Sequence, residues 1–367
     1  MPKQIPLKKP HNLREGSQSA ALPLFDGTRL CAVFVYPLFN NPAPEVTRAE
    51  RIKNDMITDY NTLNHPVIIG LDHGFGNVKT AHTCFQAGVT KHEKEPTFKS
   101  NMLFYDGWYY TIGEEHKEFI ANKINDQDYF ILTLAGIASE LAFYGRQSAD
   151  VHLAVGLPLT WVAEQKDDFK KYLMQRDPQE EIMFNFKGKE YRIRITGVDV
   201  FPQGFAAIVS HLSDFKGVNM LCDIGNGSMN VMTITNGRPI SSKCFTEKYG
   251  TYQCTLLIRE RLMQKYHVTV DDAVIEEVLR TGVADIGKSH LETIIEAAKE
   301  YTEGILRRLR EHEYNPAMMR LYIVGGGGCL IKNFARYDES RVTINEDVCA
   351  TAKGYEYMAN ARMRKAG

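Results

Sequence analysis

The sequence lacks an excess of either charge, a long hydrophobic run and a secretory leader. Its 44 basic and 45 acidic side chains leave a formal net charge of −1 over 367 residues, so we expect no direct binding to nucleic acid or to membranes. No apolar run approaches the roughly 20 residues that cross a bilayer. The first 20 residues are charged and have no apolar core, so we do not expect a secretory signal there.

Cysteine and histidine are present, but they have no metal-binding spacing. None of the seven cysteines stands in a CxxC, and the eleven histidines form no HxxxH or HExxH. This pattern predicts reduced, mostly buried thiols in the cytoplasm and no zinc site. The rest of the composition, 44% hydrophobic and 24% charged, is typical of a globular chain with a core, and the length allows two domains.

Residues 1–55 differ from the rest of the chain. They are polar and proline-containing apart from the short apolar run LCAVFVYPLF, and they show no helix or strand period. We expect a loosely ordered or non-native extension there, with Met56 as an alternative start.

From residue 67 the chain alternates strand and helix patterns. Asp106-Gly107 and Lys187-Gly188 predict hairpin turns, and Ser289 with Glu292 predicts a capping box at a helix start. Strands are predicted over residues 67–71, 78–85, 219–224, 231–235 and 321–324, and helices over residues 126–145, from 289 onwards and near the C-terminus.

Two glycine-rich turns follow strands that end in an aspartate. The first is DHGFGN from Asp72, and the second is DIGNGS from Asp223, 151 positions later. Glycines let the backbone turn tightly and point several N–H groups into one space, where phosphate oxygens bind. Ser228 can add a hydroxyl and Lys79 a positive charge. An aspartate beside phosphate needs a cation, and Mg²⁺ supplies one while keeping several of its waters.

Either turn alone is also a common hairpin, and Lys79 alone is also an ordinary exposed lysine. The repetition favours the phosphate interpretation and suggests two similar α/β halves that face one cleft. A third element, the four glycines at residues 325–328, lies between an apolar strand and a helix start. A flexible loop is the alternative, but this position favours a turn that contacts a nucleoside. No GK[ST] follows, so it is not a Walker A loop.

Taken together, these segments resemble the actin–Hsp70–sugar kinase ATPase superfamily, and within it the ParM/StbA actin-like proteins of plasmid partition. The resemblance covers the chain from residue 66 to its C-terminus. It rests on the order and spacing of IIGLDHGFGNVKT, VGLPLTWV, VFPQGFAAI, LCDIGNGSMNV, LYIVGGGGCLIKNF and NEDVCATAKGYEYM.

The resemblance implies an actin-like α/β fold, in which two domains with RNase H-like mixed sheets surround a central nucleotide cleft. It implies a first domain over residues 56–214 with a small subdomain at about 92–126, and a second domain over residues 215–345. A C-terminal helix over residues 346–367 would return to the first domain.

The resemblance also implies roles for individual residues. Asp72 and Asp223 would hold Mg²⁺ through water, Asp223 would act on the attacking water, and Gln203 would orient that water. Contacts to the phosphates of ATP, or of GTP, would come from Gly74, Phe75, Gly76, Asn77, Lys79, Gly225, Asn226, Gly227 and Ser228. Gly325, Gly326 and Gly327 would contact the nucleoside.

Two positions depart from the family pattern. Gln203 stands where the best-known plasmid ParM has glutamate, and glutamine can position water but cannot accept its proton near neutral pH. Asn230 stands where the family often has a further aspartate, so a second carboxylate role at that position is in doubt.

The implied function is a bacterial, cytoplasmic ATPase that forms homopolymeric filaments. The filaments would segregate plasmid DNA through a ParR-like adaptor bound to a centromere-like DNA site. A small-molecule kinase of the same superfamily would use the same turns with an added substrate site. A chaperone ATPase would need a further substrate-binding domain, and a membrane-linked MreB-like role would need an amphipathic anchor.

Overall fold

The computed structural model describes residues 66–113, 127–175 and 177–366. The predicted extension over residues 1–55 lies outside this part of the chain, and so do residues 114–126 of the predicted small subdomain.

One sheet contains nine strands of the described chain in the order β3-β2-β1-β7-β9-β8-β5-β6-β4. Strands β1, β7 and β9 run parallel at its centre, and the other pairs are antiparallel. Its strands are β1 (Val67–His73), β2 (Asn77–Lys79), β3 (Cys84–Gln86), β4 (Val89–His92), β5 (Met102–Tyr105), β6 (Trp108–Ile112), β7 (Ser148–Leu157), β8 (Ile182–Phe186) and β9 (Lys189–Pro202).

A second sheet contains five described strands in the order β12-β11-β10-β13-β14. Strand β10 runs parallel to β13 and antiparallel to β11, so it has the same kinds of neighbour as β1 in the larger sheet. Its strands are β10 (Val218–Ile224), β11 (Met229–Thr235), β12 (Arg238–Glu247), β13 (Arg320–Val324) and β14 (Val342–Ile344). The two mixed sheets are those of the predicted actin-like fold.

Helices cover the faces of both sheets. A 3-10 helix (Phe205–Asp214) follows β9 and connects the two sheets along the chain. The α-helices of the described residues are α1 (Asp128–Phe143), α2 (Leu159–Leu173), α3 (Thr251–Tyr266), α4 (Asp272–Thr281), α5 (Lys288–Glu311), α6 (Gly328–Phe334) and α7 (Ala350–Ala366).

The centre of the nine-stranded sheet is covered on both faces, which explains why β1 and β7 are nearly continuous apolar runs. Ile69 and Leu71 join a core with the apolar side of α1. Gly70 faces the opposite way, towards α7, where a Cβ would lie 2.0 Å from the Ala352 carbonyl oxygen. Glycine at this position therefore lets the final helix lie directly against the strand.

Most of the predicted elements are confirmed, and two details are wrong. The hairpin turns adopt the expected left-handed backbone, with φ of 50° at Asp106 and 51° at Lys187. The single strand predicted over residues 78–85 is two strands, because Thr80 and Thr83 close a turn in which the Thr80 N–H donates to the Thr83 carbonyl at 2.8 Å. Helix α5 begins at Lys288 after Gly287, without the predicted side-chain cap.

Five cysteines of the described residues are free thiols, as predicted. Cys329 is disulfide-bonded, so the prediction of reduced thiols throughout is wrong at that position. None of the described helices combines the length and the apolar character that a bilayer span requires.

Glu356 on α7 provides a test of how this helix packs. It accepts a hydrogen bond from the Gly70 N–H at 3.0 Å, and burial, with the charge of nearby Glu140, raises its pKa from 4.5 to about 7. Because the folded state holds this proton more tightly than the unfolded state, the associated stability is present below pH 4.5 and is lost as the pH rises through 7.

We expect Glu356→Gln to raise the free energy of unfolding at pH 8 by about 1–3 kcal/mol and to have a much smaller effect at pH 5. Urea unfolding at both pH values measures this difference. The matched control is Glu296→Gln on the exposed face of α5. An equal pH dependence in both variants would contradict the assignment.

Candidate functional site

The two glycine-rich turns occupy the same position in two hairpins of identical register. Asp72 pairs with Lys79 across β1 and β2, and Asp223 pairs with Asn230 across β10 and β11. In each hairpin the pair after the aspartate closes a four-residue turn that begins with glycine. The repeat seen in the sequence is therefore a structural repeat.

The turns are held by backbone hydrogen bonds and by the small size of their glycines. The Gly225 N–H donates to the Ser228 carbonyl at 2.9 Å, and the Gly74 N–H donates to the Asp72 carbonyl at 3.1 Å. A Cβ at Gly74 would lie 2.5 Å from the Asn77 carbonyl oxygen. Only glycine fits that position without moving the turn.

The two turns face each other at close range. A Cβ at Gly76 would lie 2.7 Å from Cγ of Asn226 in the opposite turn. Between them is a cavity of about 50 Å³, much smaller than a typical ligand pocket. It is lined by Asp72, His73, Gly74, Phe75, Gly76, Asn77, Lys79, Gln203, Asp223, Gly225, Asn226, Gly227, Ser228, Asn230, Thr251 and Gly326.

Thirteen of the fifteen predicted site residues line this cavity, and Gly325 and Gly327 do not. Both pack behind it: a Cβ at Gly325 would lie 2.5 Å from Oδ1 of Asp223, and one at Gly327 would lie 2.2 Å from Cγ2 of Ile224. These two glycines let β13 and the start of α6 lie against the end of β10. Gly326 alone of the three faces the cavity.

Asp72 is the centre of a polar network. Lys79 Nζ lies 3.5 Å from its Oδ2, and the Gln203 side-chain amide donates to its Oδ1 at 3.1 Å. The Lys79 side chain is only 11% exposed, so it is not an ordinary solvated lysine. Burial opposes its charge, but the surrounding acidic groups, of which Asp72 is the strongest, outweigh that effect and raise the pKa of Lys79.

Asp223, on the second hairpin, is a carboxyl with a raised pKa. Burial and the negative charge of Asp72 raise its pKa to about 7, against the opposing effects of Lys79 and of a hydrogen bond from Asn230. Two carboxylates that face each other with one lysine between them carry an excess of negative charge. A hydrated cation would relieve it.

Asn230 has a role that the sequence did not show. Its Oδ1 accepts a hydrogen bond from the Thr246 hydroxyl at 2.9 Å, so its amide nitrogen is the atom that donates to Asp223. Asparagine thus supports the carboxylate, where an aspartate would add a third negative charge.

Gln203 connects the two aspartates. The Gln203 N–H donates to the Leu157 carbonyl at 2.8 Å, which continues the ladder beyond β9. The next residue, Gly204, has a φ of 73°, and a Cβ there would lie 3.1 Å from Cβ of Asp223. The Gln203-Gly204 turn therefore lies against both halves of the site.

His73, which stands within the DHGFGN segment, belongs to strand β1 and is buried. Its Nε2 lies 2.8 Å from the Thr133 hydroxyl, and its ring packs edge-on against Tyr129 and Phe169. It stabilises the base of the first turn. Thr251, which also lines the cavity, was not predicted, because nothing near it in the sequence marks a site.

The described residues contain no cluster of three or more histidine, cysteine or acidic side chains that could enclose a metal ion. Two carboxylates that face one cavity are what a hydrated Mg²⁺ uses when phosphates supply the remaining ligands. The residues therefore fit a metal that arrives with a nucleotide.

The Asn230 assignment predicts that Asn230→Asp lowers stability in buffer without divalent cation, by about 1–3 kcal/mol at pH 8, because it adds a buried charge beside Asp223. Adding Mg²⁺ should recover more stability in this variant than in the parent protein. Thermal melting with and without MgCl₂ measures both effects. The control is Asn236→Asp, at the exposed opposite end of the same hairpin; equal shifts in the two variants would show that the charge at position 230 does not act on the site.

Comparison with known proteins gives two family matches in succession. Residues 70–205 match the family described as actin like proteins N terminal domain. Residues 221–336 match the family described as archaeal actin homologue MreB-like, C-terminal. No curated protein sequence matches the chain.

Solved structures of actin homologues superpose over most of the chain. The actin-like protein Alp7A is 15% identical, with a TM-score of 0.65 over 82% of this chain and 97% of its own. The archaeal actin homologue Ta0583 in complex with ADP is 19% identical, with a TM-score of 0.61 over 80% and 99%.

A 15-stranded ParM filament from Clostridium botulinum is 15% identical, with a TM-score of 0.59 over 81% of this chain and 100% of its own. At these identities the likeness establishes the fold. The chain therefore has the fold of the actin homologues, and two successive segments of it each match an actin-like family.

Proposed function

We propose that this chain is an actin-like ATPase that binds ATP with Mg²⁺, polymerises into filaments and hydrolyses the bound nucleotide. The observation that carries the proposal is the pair of hairpins in equal register, with Asp72, Lys79, Gln203 and Asp223 between them. Phosphate binds to backbone N–H groups and to positive charge. Glycine-rich turns form both walls of this cavity, and Lys79 lies on one of them.

The phosphates would lie between the turns. Gly74 and Gly225 use their N–H groups inside the turns, so residues 75–77 on one side and 226–228 on the other would donate backbone N–H groups. Lys79 and the Ser228 hydroxyl would add side-chain donors. Gly326 is the glycine that would contact the nucleoside, while Gly325 and Gly327 support Asp223 from behind. Support for a nucleotide comes from Ta0583, which is an actin homologue in complex with ADP. GTP is the alternative nucleotide.

Mg²⁺ would be held through water by Asp72 and Asp223, and when bound it would neutralise charge on the phosphates. Hydrolysis needs a water aligned with the terminal phosphate. Gln203 is bonded to Asp72 and its turn lies against Asp223, so its side-chain amide can orient that water. Asp223 would accept a hydrogen bond from the same water, because glutamine cannot accept a proton.

Filament formation is supported by the ParM filament, whose subunits share this fold. We propose that the filament loses stability after hydrolysis and segregates plasmid DNA in the bacterial cytoplasm. A ParR-like adaptor on a centromere-like DNA site would couple it to the plasmid. Self-association surfaces carry no motif in this chain, so this part of the proposal depends on the family.

High-speed sedimentation tests the filament. We expect the protein to pellet with ATP and Mg²⁺, to pellet less with ADP, and to stay in the supernatant with EDTA, while phosphate is released after assembly. Phosphate transfer to a small molecule without a nucleotide-dependent pellet would replace this proposal with a kinase of the same superfamily.

Asp223→Asn tests the site. The substitution keeps the shape of the side chain and removes its charge, so phosphate release should fall by at least about 100-fold, while thermal melting in the absence of nucleotide stays cooperative. Asp214→Ala, on the exposed end of the 3-10 helix, is the control and should release phosphate at the parent rate. Unchanged turnover in Asp223→Asn would remove the central assignment.

A further inference from the structure

Tyr355 on helix α7 is a buried tyrosine directly beneath the site. Its side chain has no solvent exposure, and its ring stacks on Phe201, with the ring centroids 6.2 Å apart. Its hydroxyl has no hydrogen-bond partner within the part of the chain that the structure describes. A buried hydroxyl without a hydrogen bond destabilises the folded state, so a partner for this group is expected.

The Tyr355 hydroxyl points towards the nine-stranded sheet at Gly156 of β7, between strands β1 and β9. A Cβ at Gly156 would lie only 1.8 Å from the Tyr355 hydroxyl oxygen, so this glycine is what lets the hydroxyl reach the strand. Gly156 pairs with Phe201 on one side. On the other side β1 pairs with β7 as far as Leu71 with Val155, so Asp72 is the neighbour of Gly156.

The side chains of Asp72 and Gln203 lie on the same face of the sheet as Tyr355. Alternate residues of a strand share a face, and Ile68 and Gly70 of β1 both contact the elements around α7. Asp72 is next in that series. On β9, Phe201 packs on Tyr355, and Gln203 lies two residues beyond it. The Tyr355 hydroxyl therefore lies on the same face of the sheet as the hydrogen bond between Asp72 and Gln203.

The hydroxyl also keeps its proton. Burial, and then the nearby charges of Asp72 and Asp223, raise the pKa of Tyr355 well above its usual value. A protonated tyrosine hydroxyl can donate a hydrogen bond, and the acceptors in this direction are carboxylate and amide oxygens.

We infer that Tyr355 is a positioning residue of the site, whose hydroxyl donates to the Asp72–Gln203 pair through one water molecule. This bond would fix the angle at which Gln203 holds the attacking water and Asp72 holds the hydrated metal. The inference rests on the proposed function, because it concerns the same hydrolytic water. It also makes the C-terminal helix part of the catalytic geometry, although its sequence carries no catalytic motif.

The test is Tyr355→Phe, which keeps the ring and removes only the hydroxyl oxygen. We expect kcat for phosphate release to fall about tenfold with KM for ATP unchanged, because the hydroxyl acts on geometry and does not touch the nucleotide. Tyr191→Phe is the matched control: it is a buried tyrosine of β9, 2% exposed, near the end of that strand away from Gln203, and it should keep the parent kcat.

Thermal melting without nucleotide gives a second readout. If the hydroxyl donates to the pair, removing it lowers the Tm. If it has no partner, removing an unsatisfied buried group raises the Tm, and that result would overturn the inference. A kcat within twofold of the parent value would also overturn it, as would equal losses in Tyr355→Phe and Tyr191→Phe.

A double-mutant cycle shows whether Tyr355 acts through Gln203. Gln203→Ala with Tyr355→Phe should be no slower than Gln203→Ala alone, because the hydroxyl then has nothing left to position. Additive losses would contradict this mechanism. Failure of the parent protein to hydrolyse ATP would instead refute the proposed function, and the parent arm of each assay detects that case separately.

Discussion

The site depends on keeping two facing carboxylates close together in a buried space. Asp72 and Asp223 repel each other, and burial increases that repulsion. The chain offsets it with Lys79 on one side and with the amide nitrogen of Asn230 on the other. Much of the local architecture serves this arrangement, including the glycines behind Asp223 and the turn that connects both halves. A site with so much negative charge is more stable with a cation than without one.

The two repeated hairpins have the same strand register, but they differ in the charge of the residue opposite the aspartate. Lys79 and Asn230 occupy the same register position, opposite the two aspartates, yet one is a cation and the other a neutral donor. Lys79 therefore pairs directly with Asp72, whereas Asp223 faces a neutral donor on its own hairpin, and burial with the charge of Asp72 raises its pKa. In the proposed function this asymmetry would give the two aspartates separate tasks: Asp72 would maintain the geometry, and Asp223 would respond to the nucleotide.

The hairpins and central strands could be predicted because their signals are local: apolar runs end in Asp72 and Asp223, and glycines follow at once. The turn at Thr80 and Thr83 was missed because it uses hydroxyl groups and contains neither glycine nor proline. The start of α5 was misplaced because Ser289 and Glu292 matched a capping pattern that the fold does not use. Tyr355 and Thr246 act through residues far away in the sequence, and no local pattern could have indicated them.

The close approach of Gly76 and Asn226 would affect the rate of nucleotide exchange. With about 50 Å³ between the turns, the proposed triphosphate would enter or leave only if the two turns moved apart. Exchange would then follow the frequency of that motion, and motions of this kind take microseconds or longer. In a filament, neighbouring subunits would restrain this motion, so a subunit would exchange its nucleotide slowly. The state of the bound nucleotide would then depend on how long ago the subunit bound it.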